Sequence, residues 1–165
     1  IELIEAAKLI YKKYPKTSFT ILGSIDPENK SSLTKSQIIE YAKKNKCFKF
    51  IEFTDDIKTI VKNHHCLILP SYREGIPKTI LESQSMGIPV IAADVPGSNS
   101  LIIDNFTGFL CKPRDIYSLE KTIEKFINTK KENLGIIVEN AYRNIKLYYD
   151  EEKVLNEYMR SIDEF

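Results

Sequence analysis

Long apolar runs and a strong charge of either sign are both missing from this sequence. No segment approaches the roughly 20 consecutive apolar residues that a membrane-spanning helix needs, so we expect no transmembrane span. The formal net charge of +1 offers no electrostatic argument for binding to nucleic acid or to an anionic membrane. The sequence therefore favours neither a nucleic-acid-binding protein nor an integral membrane protein.

Histidine and cysteine are scarce, and their arrangement fits neither a metal site nor a Ser-His-Asp triad. The chain has two histidines and three cysteines. Cys47, Cys66 and Cys111 lie far apart, in no spacing typical of zinc ligands. Their number is odd, which favours reduced thiols over a disulfide framework. We predict a cytoplasmic protein that uses no metal ion and no bound cofactor.

What the sequence does contain is an ordinary globular composition in a chain of one-domain length. Its 165 residues are 42% hydrophobic and 28% charged, which is typical of a soluble domain with a substantial core. Amphipathic segments with a helical period alternate with short apolar runs. This alternation predicts an α/β fold, a doubly wound parallel sheet of the Rossmann-like kind with helices on both faces.

The predicted elements follow one another along the whole chain. The strands are predicted at residues 18–23, 48–53, 66–70, 89–93 and 108–111. The helices are predicted at residues 1–14, 31–45, 55–63, 77–86, 98–103, 115–128, 133–149 and 151–162.

One stretch, residues 70–82, joins a buried strand to a helix at the position where α/β proteins bind ligands. The apolar run 66–69 leads into the tight loop Pro70-Ser71-Tyr72-Arg73-Glu74-Gly75-Ile76, and we place Pro77 in the first helical turn. Ligands of open parallel sheets lie at the carboxyl ends of strands. A helix that begins there directs free N–H groups and a positive dipole end at an anion. Gly75 allows close backbone approach to a ligand.

Two carboxylates in this stretch have a spacing that resembles a family signature. Glu74 and Glu82 are separated by seven residues, as in the E-x7-E motif of the retaining glycosyltransferases of the GT-B fold, family 4 or group 1. Segments 86–97 and 104–110 also resemble that family, and the similarity covers at least residues 51–115. The resemblance implies that the chain is the C-terminal, donor-binding domain of such an enzyme.

Parts of that family's architecture have no counterpart in this sequence. The family's donor-binding domain opens with a strand and a basic loop, roughly Gly-Arg…Lys-Gly, whose Arg and Lys clamp the nucleotide diphosphate. This sequence begins in the following helix, so the resemblance implies a single partial domain over residues 1–165, without the first strand and without the N-terminal acceptor domain. The first strand of a doubly wound sheet is central, and its absence leaves either a groove or an altered sheet. We expect this chain alone to be inactive and to bind donor weakly.

The resemblance gives the two carboxylates distinct roles. Glu74, the predicted catalytic residue, holds hydroxyl groups of the transferred sugar, and Glu82 holds the ribose hydroxyls. Carboxylates suit this task because each accepts hydrogen bonds from neighbouring hydroxyls in fixed directions. Two simpler interpretations stay open, a loop carboxylate paired with Arg73 for Glu74 and a solvated helix carboxylate for Glu82.

Further donor-binding residues are predicted on the loop, on the helix start and at the ends of neighbouring strands. The predicted set consists of Ser71, the backbone N–H groups of Gly75, Ile76, Lys78 and Thr79, and the strand-end residues Gly23 and Phe53. Alternatives stay open for three residues. Lys78 could contact a phosphate or be a solvated side chain, Tyr72 could flank the ligand or pack, and Asp94 could approach the site or form part of a turn. The family usually has glycine where this chain has Glu52, so the contact with the base stays open.

The function that the resemblance implies is retaining transfer of a hexosyl group from a nucleotide-diphospho-sugar. The donor is expected to be a UDP-sugar, and the acceptor a glycan or a lipid-linked glycan of surface or capsular polysaccharide biosynthesis. Acceptor residues, and any association with the inner face of the cell membrane, would come from the absent N-terminal domain. The alternative is a non-catalytic sugar-nucleotide-binding module.

Overall fold

A computed structural model of the chain describes residues 2–23, 47–52 and 56–150, together with the isolated positions 37, 38, 40, 45, 54, 153, 155 and 159. The chain divides into two compact units, Ile1–Ile57 and Lys58–Phe165, and each is described here by itself. The helices predicted at 31–45 and 151–162 fall almost entirely outside the described residues, and Phe53 lies outside them too.

Helices and strands alternate through the described residues, as the sequence predicts. The helices are α1 (Glu2–Lys13), α2 (Ile57–Lys62), α3 (Lys78–Ser85), α4 (Ser98–Leu101), α5 (Ile116–Asn128) and α6 (Lys131–Tyr148). The strands are β1 (Phe19–Gly23), β2 (Phe48–Glu52), β3 (Leu67–Leu69), β4 (Val90–Ala93) and β5 (Phe109–Cys111). In the part of the chain that the structure describes, every helix is too short or too polar to cross a membrane.

In the described ranges of the chain, all of the paired strands are parallel and lie in two sheets. In the first unit β1 pairs with β2, with Phe19 opposite Phe48 and Gly23 opposite Glu52. In the second unit the strand order is β3-β4-β5, with Leu69 opposite Ala92. Parallel strands joined by helices confirm the predicted α/β, Rossmann-like class.

β3 is less buried than the buried strand that the sequence predicts. All three of its residues are half-buried, whereas β4 is buried at every position. The reason lies in the strand order, because β4 has a neighbour on each side while β3 is an edge strand among the described residues. Side chains of an edge strand are open to solvent along the unpaired side.

Each unit has its own hydrophobic cluster. In the first unit, α1 packs on the two strands through Ile4, Ala7, Cys47 and Phe48, with Tyr11, Phe19 and Ile21 at the margin. In the second unit, the cluster comprises Ile80, Val90, Ala92, Leu101 and Ile102. Since Ile80 belongs to α3, the helix that follows the 70–77 loop is anchored in this second core.

Buried hydrogen bonds also tie α3 to the segment that leads into β5. Gln84 Nε2 donates to the carbonyl oxygen of Thr107 at 2.9 Å, and both residues are buried. The hydroxyl of Thr107 in turn accepts a bond from the N–H of Ile103 at 2.8 Å. Asp104 Oδ1 accepts from the N–H of Leu110 at 2.9 Å. These contacts hold the turn 103–108 in one conformation against the far end of α3.

The thiol of Cys111 is predicted to be inert in the folded protein. Cys111 is buried, and its Sγ donates to the carbonyl oxygen of Ala92 at 3.4 Å. Burial, together with the negative charges of Asp115 and Asp94, raises the pKa of this thiol to about 11. Because the thiolate is the nucleophile, iodoacetamide at pH 8 should label Cys111 rapidly only after unfolding. Peptide mapping by mass spectrometry, with and without urea, measures this, and rapid labelling of the native protein would contradict it.

Candidate functional site

The predicted strand, loop and helix around residue 75 are present in the second unit. β3 ends at Leu69, and α3 begins at Lys78. Pro77 is the N-cap of α3, with φ −71° and ψ 108°. The prediction that it belongs to the first helical turn is wrong, because its ψ angle is extended and not helical. No side chain among the described residues caps this helix, and the first N–H groups of a helix have no partner within it. The N–H groups of Lys78 and Thr79 therefore lie at an uncapped helix start.

Glu82 lies on the outer face of α3, one turn after its start. The buried residues of this helix are Ile80, Ser83 and Gln84, while Lys78 is exposed and Glu82 is half-buried. A separation of four residues places Lys78 and Glu82 on the same side of a helix. Glu82 is therefore turned away from the core, on the side that carries the first residue of the helix.

Glu74 lies on the loop, three residues before the N-cap, and is half-buried. No ion pair joins it to Arg73 among the described residues, which weighs against the simpler interpretation of this carboxylate. The neighbouring Ile76 is 60% exposed. Among the residues that the structure describes, a Cβ added at Gly75 would meet no atom within 4 Å. The surface beside Gly75 is therefore open, and a ligand can approach the backbone there.

The loop that follows β4 packs directly against this stretch of backbone. Gly97 has φ +92°, and a Cβ built on it would lie 1.8 Å from the carbonyl oxygen of Gly75 and 2.7 Å from that of Glu74. The sequence analysis did not predict this contact. The available signal was a glycine just after the strand that pairs with β3.

A second contact that the sequence did not predict joins the loops after β3 and β5. The guanidinium of Arg114 lies over the ring of Tyr72, 4.9 Å from its centroid, and Tyr72 is 46% exposed. Such a cation–π contact at an exposed site is worth about 0.5–1 kcal/mol. The ring of Tyr72 thus contacts the neighbouring loop, and the choice between its two interpretations stays open. Asp94 accepts a hydrogen bond from Asn99 Nδ2 at 2.9 Å, which supports its interpretation as a turn residue.

The predicted donor-binding residues divide between the two units. Ser71, Gly75, Ile76, Lys78 and Thr79 lie together on the loop and the start of α3 in the second unit. Gly23 ends β1 in the first unit, where a Cβ would meet no atom of the described residues within 4 Å. Phe53 lies outside those residues. The assignment of donor contacts to these residues stays a prediction.

Curated relatives of this chain include bacterial glycosyltransferases of polysaccharide assembly. The chain is 26% identical to the capsular polysaccharide biosynthesis glycosyltransferase CapM of Staphylococcus aureus, over 96% of this chain and 43% of that protein. It is 32% identical to the UDP-Gal:alpha-D-GlcNAc-diphosphoundecaprenol alpha-1,3-galactosyltransferase of Escherichia coli, over 86% of this chain and 38% of that protein. The chain thus spans less than half the length of these relatives.

Among solved structures, HepE of Anabaena in complex with UDP has the same fold. The two superpose with a TM-score of 0.87 over 99% of this chain and 44% of HepE, at 19% sequence identity. The family model described as "Glycosyl transferases group 1" matches residues 1–144, most of the chain. With the E-x7-E loop and helix in place, the conclusion is that the chain belongs to the group 1 glycosyl transferases.

Proposed function

We propose that the chain is the C-terminal, donor-binding part of a retaining hexosyltransferase that uses a UDP-sugar. The observation that carries the proposal is the uncapped start of α3 at Pro77, with Glu74 before it and Glu82 one turn after it. Residues 1–165 would form one part of the enzyme, and a second domain would bind the acceptor. The proposal is consistent with the share of its relatives that the chain spans.

The chemistry of a sugar nucleotide matches what this surface offers. Its diphosphate is an anion, and the N–H groups and positive dipole at a helix start are suited to anions. Its sugar and ribose carry vicinal hydroxyls, which donate hydrogen bonds to carboxylates. The open space beside Gly75 leaves room for a ligand between Glu74 and the helix.

The names of the relatives favour a UDP-sugar donor and an acceptor of polysaccharide biosynthesis. The Escherichia coli relative is named for UDP-Gal and for an acceptor linked to diphosphoundecaprenol. CapM of Staphylococcus aureus is named for capsular polysaccharide biosynthesis, and HepE was solved with UDP. We therefore infer that the acceptor of the protein that contains this chain is a glycan or a lipid-linked glycan. We also propose that the transfer takes place in the cytoplasm, at the inner face of the membrane.

In the proposed reaction the bond between the sugar and the diphosphate breaks, and negative charge grows on the leaving diphosphate. The N–H groups of Lys78 and Thr79 would stabilise that charge, since preorganised donors directed at a developing charge lower the barrier. Glu74 would hold the transferred sugar so that its anomeric carbon faces the acceptor. No step requires a metal ion or a bound cofactor. The second domain would close over the donor and exclude water.

Titration of the full-length protein with UDP, GDP and ADP tests the proposal, with Gly75→Ala as the site-specific variant. We expect UDP to bind more tightly than GDP or ADP. The variant should fold normally, because a Cβ at this position meets no atom within 4 Å in the described part of the chain. It should nevertheless weaken UDP binding roughly tenfold, because the added methyl group would occupy the space through which the ligand approaches the backbone and would disturb a hydrogen bond to a charged group. Failure of all three nucleotides to bind, as measured by calorimetry, would contradict the proposed donor site.

A further inference from the structure

Gly97 lies directly against the backbone of the 70–77 loop. A Cβ on Gly97 would lie 1.8 Å from the oxygen of Gly75, 2.7 Å from the oxygen of Glu74 and 2.8 Å from the carbonyl carbon of Gly75. All three atoms belong to backbone, which cannot rotate away as a flexible side chain can. An ordinary contact requires at least 3.4 Å, so any side chain at position 97 would have to move the loop by more than about 1 Å.

Gly97 itself is held firmly on its own side of this contact. The N–H of Asp94 donates to the carbonyl oxygen of Cys111 at 2.8 Å, and the N–H of Asn99 donates to that of Val95 at 3.0 Å. The hydroxyl of Ser100 donates to the carbonyl oxygen of Gly97 at 2.7 Å. The turn between β4 and α4 is therefore a fixed surface, and the backbone of Glu74 and Gly75 rests on it.

We propose that Gly97 is a positioning residue for donor binding, acting through the backbone of Glu74 and Gly75. The inference rests on the proposed function. It adds to the donor site a residue, Gly97, that itself contacts neither the sugar nor the nucleotide. Glycine is required because only the absence of a Cβ lets the two loops meet at this distance, and because φ is +92°. A misplacement of about 1 Å in a site can lower a rate about 100-fold.

The test compares Gly97→Ala with Gly87→Ala in the full-length protein. Gly87 also has a positive φ, +73°, but a Cβ there would make only an ordinary contact of 3.5 Å with Val138 Cγ1. Both glycines have a positive φ, so both substitutions strain the backbone, but only a Cβ at position 97 would press on the backbone of the loop. We expect UDP affinity to fall about tenfold or more for Gly97→Ala and to change less than about twofold for Gly87→Ala. Calorimetry at a temperature where both variants are folded measures the difference.

Backbone amide chemical shifts, recorded without nucleotide, separate this inference from the proposed function. The amide signals of Glu74, Gly75 and Ile76 should move in Gly97→Ala and stay in place in Gly87→Ala. If the wild-type protein fails to bind UDP, the proposed function fails, and these shifts alone decide whether Gly97 positions the loop. The inference would be overturned if folded Gly97→Ala bound UDP as tightly as the wild-type protein does, or if its amide signals at these residues did not move.

A milder variant covers the case in which Gly97→Ala does not fold. Ser100→Ala removes the hydrogen bond to the carbonyl oxygen of Gly97 at an exposed position, and adds no atom. Movement of the Glu74 and Gly75 amide signals in Ser100→Ala would support the inference, and unchanged signals would overturn it.

Discussion

Glu74→Gln should lower sugar transfer by the full-length protein about 100- to 1,000-fold, the range seen when one preorganised group at a reacting centre is removed. Glutamine has nearly the same shape as glutamate, so the loop before α3 should keep its conformation. The substitution removes the negative charge that would hold the sugar hydroxyls. Because UDP carries no transferred sugar, its affinity should change less than about threefold. Rates with a UDP-sugar and calorimetry with UDP together measure this separation.

Two comparisons make the result specific. Glu139→Gln on α6 removes an exposed carboxylate whose pair with Arg143, at 2.8 Å, is worth at most about 1 kcal/mol, and it should leave transfer unchanged. Glu82→Gln should show the opposite pattern to Glu74→Gln, with weaker UDP binding because the ribose contact is lost. Transfer rates within about twofold of wild type in Glu74→Gln would exclude the predicted catalytic role.

Ile80→Ala should lower the free energy of unfolding by about 2–5 kcal/mol, the range for truncating a fully buried aliphatic side chain. Ile80 is 0% exposed and belongs to the cluster with Val90 and Leu101. The cost combines lost burial of the removed carbons with a cavity that the rigid β-sheet cannot close. Since Ile80 lies on α3, the variant also loosens the helix that carries Glu82.

Ile136→Ala is the matched control, because Ile136 is also helical but 59% exposed. It should change the free energy of unfolding by no more than about 0.5 kcal/mol. Urea titrations followed by circular dichroism at 222 nm measure both variants. Equal unfolding midpoints for the two would show that Ile80 is not part of the packed core.

Several features of the fold and site could be predicted because they depend on neighbours in sequence. The helical period of apolar residues determines α1 and α5, and short apolar runs determine β1 and β4. The placement of Glu74 and Glu82 on either side of the start of α3 could be predicted in the same way, because both residues lie close to that start in the sequence. The half-burial of β3 could not, because it depends on which strands pair beside it.

By itself, the sequence determined that this chain is an α/β domain of the group 1 glycosyl transferases, with two carboxylates around the start of one helix. Only the tertiary structure decided what supports that helix start. Gly97 reaches Gly75, Arg114 reaches Tyr72, and Gln84 reaches Thr107 across separations of more than about 20 residues. Local periodicity determines the conformation of each helix and strand. These contacts instead depend on the register and order of β3, β4 and β5, and strand order and register result from pairing between residues that lie far apart in the sequence.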